Sequence, residues 1–162
     1  MALADPAADW TGCLMALGAH VRISGLKGTR SQPVGEFVLG QYSTSLASDE
    51  IILGFDVPRP DAALRWGFFK VVRKSGAFAD SIAFAVAHGH GGPASVVLAA
   101  AADRPCLLPT VAERIEAGEK SQDVLHCAIA KDVAEHVPQD DAYLMRLHTS
   151  TVLRAVRQVQ AK

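Results

Sequence analysis

A change of hydrophobic period part-way along the chain constrains its fold more than any other feature. From Val21 to Ala101 the apolar residues sit in short runs, several alternating with polar ones, as half-buried strands do. After Pro109 they recur every three or four residues, as on amphipathic helices: Leu125, Ile129 and Val133 in one stretch, then Met145, Val152, Val156 and Val159 in another. Strands first and helices last predict an α+β protein rather than an alternating α/β one. A single helix is expected ahead of the strands, over 6–18. Asp5 is read as its N-cap, Pro6 as its first helical residue, and Gly18 as its end.

Within the strand region the clearest segment is Glu50 to Val57. Simple alternation puts Ile51, Leu53, Phe55 and Val57 on one face, and Ile52, Gly54 and Asp56 on the other. Val21–Ile23 and Arg30–Val34 are expected to flank the turn Gly25–Gly28. Leu64 to Lys74, Phe78 to Ala87 and Ala94 to Ala101 complete the strands, with Trp66, Phe68, Lys70 and Val72 sharing a face. Helices are expected over 109–117, 122–135 and roughly 140–160, the last with Arg154, Arg157 and Lys162 at its negative end. The stretch Pro58 to Ala63, rich in proline and charge, is the natural domain boundary.

Composition narrows the function classes. A net charge of −1 carries no electrostatic footprint for nucleic acid. The three cysteines, Cys13, Cys106 and Cys127, are odd in number and far apart. They fit reduced thiols better than a disulfide framework, a zinc knuckle or an iron–sulfur cluster. The apolar runs are too short to insert in a membrane, and the acidic start lacks the basic region of a signal peptide, so a cytoplasmic location is expected. No nucleotide-binding glycine fingerprint, P-loop, HExxH or Gly-x-Ser-x-Gly occurs. His88 and His90, in the glycine-rich turn His88–Gly92, are read as a solvated hairpin tip and not as metal ligands.

A series of segments, taken in order, resembles the FAD-binding (medium) subunits of the molybdenum hydroxylase family, which includes carbon monoxide dehydrogenase and xanthine dehydrogenase. The segments are Leu3-Ala4-Asp5-Pro6-Ala7-Ala8-Asp9, Gly28-Thr29-Arg30, Tyr42-Ser43-Thr44-Ser45-Leu46, Asp49-Glu50-Ile51-Ile52, Lys70-Val71-Val72-Arg73-Lys74-Ser75-Gly76 and Asp141-Ala142-Tyr143. The resemblance begins just after the family's glycine-rich pyrophosphate loop, so it implies the C-terminal portion of such a subunit, without the first flavin lobe. It implies an antiparallel β-sheet lobe of an FAD-binding domain over 1–60. A C-terminal α+β sandwich, a three-stranded antiparallel sheet with a three-helix layer, would follow over 61–162.

Three residues match cofactor-contacting positions of that family. Asp9 matches a carboxylate beside the pyrophosphate loop, although the local sequence by itself favours an Asp placed by the helix dipole. Ile52 matches an apolar residue touching the flavin ring; packing against a neighbouring helix is the alternative. Lys70 matches a lysine near the flavin, against the ordinary fate of an exposed lysine on an edge strand. Ala77 departs from the family, which carries Asp in its Gly-Asp-Tyr/Phe-Ala loop. The resemblance implies FAD as cofactor, an iron–sulfur subunit and a molybdenum subunit as partners, and electron transfer with no substrate chemistry on this chain. A non-catalytic interaction or assembly domain that keeps the fold and self-associates is the other function class open to it.

Overall fold

The structure is a computed structural model describing residues 1–60, 62–89, 91–138 and 140–161. The period change becomes a change of architecture. Helix α1 (Asp9–Ala16) comes first, followed by strands β1 (His20–Gly25) and β2 (Gly28–Pro33), the short helix α2 (Val34–Phe37), and strands β3 (Val38–Gly40), β4 (Ser43–Thr44) and β5 (Ile51–Asp56). Strands β6 (Leu64–Val71), β7 (Ser81–His88), β8 (Ala94–Ala99) and β9 (Cys106–Leu107) follow. Helices α3 (Pro109–Glu116), α4 (Gln122–Ala134) and α5 (Ala142–Gln160) close the described chain. The α+β class is as expected, and all sheet pairings are antiparallel.

The first sheet has the order β2-β1-β5, and β3 and β4 form a separate pair. Val21 and Ile23 of β1 are fully buried and point inward. Their partners on β5 are Phe55 and Ile52, three residues apart, because the register shifts by one residue at Leu53. A β-bulge changes the parity of a strand at that point. This corrects the face expected for β5: Ile52 and Phe55 pack together against Phe37 and Val38, while Ile51 and Leu53 are exposed. Ile52 is therefore turned inward, partly buried against the core of this lobe.

The second sheet runs β6-β7-β8-β9. The expected three strands are present, and two residues of β9 add a short fourth at the edge. Central strand β7 is buried on both faces, so its sequence is apolar from Ile82 to Ala87. Its alternate residues divide between two cores. Ala83, Ala85 and Ala87 face α3–α5, while Ile82, Phe84 and Val86 face α1. The small side chains on the helix side let α5 come close. Where it crosses β6, a Cβ on Gly67 would lie 1.9 Å from the Ala155 carbonyl oxygen.

Helix α1 lies on the other face of this sheet, giving three layers in place of the expected two. Its Ala16 joins Ile82, Phe84, Val97 and Ala99 in one core. The helix starts three residues later than the sequence predicts. Asp5 accepts from the Ala7 N–H at 2.9 Å and so caps a turn, leaving Ala8 at the N-cap without a side-chain bond. Gly18, at φ +66°, ends the helix as expected. Strand β6 stops at Val71 and β7 starts at Ser81, so Val72 and Phe78 lie in the connection. His90 and Lys162 fall outside the described residues.

Two buried polar groups tie the helical layer down. Asp132, almost fully buried, accepts from the Val111 N–H at 3.1 Å and so caps the first turn of α3 from α4. His148 Nδ1 lies 2.9 Å from Ser81 Oγ, and burial pushes the imidazole below its ordinary range.

The close crossing at Gly67 yields a test. Gly67→Ala is expected to destabilise the protein by about 1–3 kcal/mol in urea unfolding, because the methyl group forces α5 off the sheet. Gly40→Ala, whose Cβ meets nothing within 4 Å, is expected to stay within about 0.5 kcal/mol of the parent.

Candidate functional site: the groove between helix α1 and strand β6

On the α1 side of the second sheet, the helix covers β7 and β8 and leaves β6 partly open. Trp66 and Phe68 point to that side and remain 54% and 37% exposed, which is unusual for aromatic residues of a sheet. Between them and the helix lies an apolar groove of about 360 Å³. It is lined by Cys13 of α1 and Leu17 at that helix's C-cap, Leu64, Trp66 and Phe68 of β6, and Phe84 of β7. The Phe68 and Phe84 rings sit 5.2 Å apart and tilted by 41°. Asp9, Cys13 and Leu17 recur every four residues and so share one stripe of α1. Asp9 opens that stripe. Both of its carboxylate oxygens accept from Lys70 Nζ, at 2.8 and 3.0 Å, and the pair ties helix to strand beyond the groove.

The structure thus brings together two of the three residues singled out from sequence. Asp9 and Lys70 are each other's partner, with side chains 50% and 25% exposed. At that exposure the pair is worth under about 1 kcal/mol, so either group can be exchanged for another charge at small cost. Ile52 lies apart from them, partly buried against the core of the first sheet. The sequence reading missed the groove itself, whose wall residues are scattered over 13–86. The alternation of Trp66, Phe68 and Lys70 on one face was its one local signal.

Other notable segments meet one another as well. Arg30 makes a two-pronged contact with Glu50, Nε to Oε1 at 2.7 Å and a second nitrogen to Oε2 at 2.8 Å. It also donates to the Ser45 carbonyl at 2.9 Å. Glu50 Oε2 also accepts from the Ala47 N–H at 2.9 Å. These contacts hold the Glu50 carboxyl well below the usual carboxylate range, at about 2, with the Arg30 hydrogen bonds as the largest cause. Tyr42, at φ +54°, donates its N–H to the carbonyl of buried Ala4 at 3.1 Å. Asp141 caps α5 by accepting from Tyr143 and Leu144 N–H. Among the described residues no group of three or more His, Cys, Asp or Glu is placed to hold a metal ion, and no helix is long and apolar enough to cross a membrane.

Fold and groove together define an α+β protein in which one helix spans the second sheet beside an aromatic-walled cleft. Residues 1–60 match the family described as the FAD binding domain in molybdopterin dehydrogenase. The chain is 36% identical over 77 residues to the nicotine 6-hydroxylase medium subunit of Paenarthrobacter nicotinovorans, a match covering 47% of this chain and 26% of that protein. It is 24% identical over 166 residues to the carbon monoxide dehydrogenase medium chain of Afipia carboxidovorans, covering 98% of this chain and 58% of that one. The fold superimposes on carbon monoxide dehydrogenase from Hydrogenophaga pseudoflava with a TM-score of 0.89 at 24% identity, over 99% of this chain and 58% of that one. The family match rests on the first 60 residues, and the relatives that the chain resembles are medium subunits. It spans little more than half the length of the carbon monoxide dehydrogenase medium chain it matches.

The Arg30–Glu50 contact makes acid stability a test of this stitching. A carboxyl held below its unfolded value of 4.5 stabilises the fold above that pH, and the contribution is lost as pH falls from about 4.5 towards 2. Buried His148 adds an earlier loss below its ordinary 6.5, since the unfolded state binds that proton first. Thermal midpoints measured across pH are expected to fall in both windows for the parent. In Glu50→Gln the lower step is expected to flatten and the upper one to remain.

Proposed function

We propose that this chain forms part of the flavin-carrying, electron-transfer subunit of a molybdenum-containing dehydrogenase, with the α1–β6 groove as its contact for the flavin ring. The observation that carries the reading is the pairing of Asp9 with Lys70 beside an apolar, aromatic-walled cleft, in a chain whose first 60 residues match an FAD-binding domain. A flat ring with apolar faces fits a cleft lined by Trp66, Phe68 and Leu17. For a pyrophosphate the chain offers less. The turn before α1 is closed on itself, Asp5 accepting from both Ala7 and Ala8 N–H.

FAD, when bound, supplies the step between one-electron carriers and a two-electron acceptor. The chain's own residues bind and orient. Trp66 and Phe68 present ring surface, Leu17 and Cys13 exclude water, and Lys70 exchanges Asp9 for negative charge that develops on the ligand. Ile52 acts at one remove, by setting the packing of the first sheet. The division into a flavin lobe over 1–60 and a C-terminal domain over 61–162 belongs to this reading. So do an iron–sulfur subunit and a molybdenum subunit as partners, and a cytoplasmic location.

A non-catalytic assembly domain that self-associates is the second reading. It is favoured by the closed turn at Asp5 and by the exposure of Trp10 and Phe78, at 70% and 73%. Titrating the purified chain into FAD while following flavin fluorescence separates the two. Saturable quenching is expected for the parent, weakened about tenfold by Trp66→Ala, a loss of about 1.4 kcal/mol. Absence of quenching, together with concentration-dependent dimerisation, would establish the second reading.

A further inference from the structure

We propose that the Lys70 end of the β6 edge, beyond the groove described above, binds an extended segment of a partner polypeptide bearing two carboxylates four residues apart. The segment adds as a short strand between β6 and α5. This inference stands independently of flavin binding.

Strand β6 is an edge of its sheet. In an antiparallel pair, alternate residues direct both main-chain groups towards the partner strand or away from it. The Val71 carbonyl accepts from the Asp80 N–H and so faces β7. Phe68 faces the other way. Its N–H donates to Gln158 Oε1 at 3.2 Å, and its carbonyl accepts from Gln158 Nε2 at 2.9 Å. The Gln158 amide therefore mimics one residue of an added strand. Lys70, two residues on, presents its N–H and C=O to the same edge, past the point where Gln158 stops.

There the strand and the helix part to leave a cleft of about 570 Å³. Its helical wall carries Tyr143, Arg146, Ser150 and Arg154, and among the described residues no carboxylate lines it. Lys70 is turned to Asp9, so Arg146 and Arg154 are the charges that the cleft offers. The Arg154 guanidinium is stacked on the Phe69 ring, 4.8 Å from its centroid, which fixes its position. Arg146 and Arg154 are eight residues apart on one stripe of α5, about 12 Å along the axis. That is too far for one phosphate to bridge. It matches two same-face side chains four residues apart on a strand, about 13 Å. Ser150 lies midway, opposite the side chain between them. Edge strand, facing helix and matched spacing are the elements of recognition by strand addition.

The test uses the full chain and a fluorescein-labelled octapeptide, Gly-Asp-Val-Ser-Val-Asp-Val-Gly, followed by fluorescence anisotropy at low salt. Binding is expected to weaken at least tenfold in Arg146→Gln/Arg154→Gln, both exposed positions where folding is checked by circular dichroism. Replacing both Asp by Asn is expected to do the same. N-methylation of alternate peptide nitrogens is expected to abolish binding in one phase and spare it in the other. Three results would overturn the proposal: no binding by the parent, equal binding by the double variant, or indifference to N-methylation in both phases. Full competition by pyrophosphate at equal concentration would also overturn it, showing a small-anion site.

Discussion

Helix α1 is the contact on which the rest of the molecule depends, because it is packed on both sides. Its Leu14 belongs to a cluster with Ala19 and Val34 of the first half of the chain. Its Ala16, with Cys13 and Leu17 alongside, belongs to the core under the second sheet. The approach is close: a Cβ on Gly12 would lie 2.6 Å from the Phe84 ring. Close packing of this kind transmits position, since neither surface can move without opening a void or a clash. The two sheets are therefore held by one short helix, and the candidate groove is the strip of the second sheet that this helix leaves uncovered.

The architecture was largely legible in the sequence, because hydrophobic period reports directly on which faces are buried. The strand-then-helix order, α3–α5, and the β6–β7–β8 meander all followed from it. What was not legible depends on pairing between distant residues. The reversal of faces on β5 comes from a bulge at Leu53, visible only once Val21 and Ile23 choose Phe55 and Ile52 as partners. The late start of α1 arises because Asp5 satisfies a turn N–H before it can reach the helix. Strand β9 is two residues long, too short for any period.

The segments that resembled the medium subunits gain a physical meaning from the structure. Several recognise each other: Arg30 grips Glu50 and the loop at Ser45, Tyr42 closes on Ala4, and Lys70 meets Asp9. A charged or strained residue at such a position is tolerated because its partner is also present. Most of these contacts stabilise the scaffold. The Asp9–Lys70 pair differs because it is weak, half exposed and beside an apolar cleft, so a ligand can replace either partner at little cost.

The central claim is that the α1–β6 groove is where a flavin ring makes contact, and ¹H–¹⁵N correlation spectra during FAD addition test it most directly. The account predicts that the indole N–H of Trp66 and the amides of Cys13, Leu17 and Phe68 shift together and saturate, while amides of Val21 and Ile23 stay in place. Shifts confined to the first sheet, or none in the groove at saturating FAD, would contradict it.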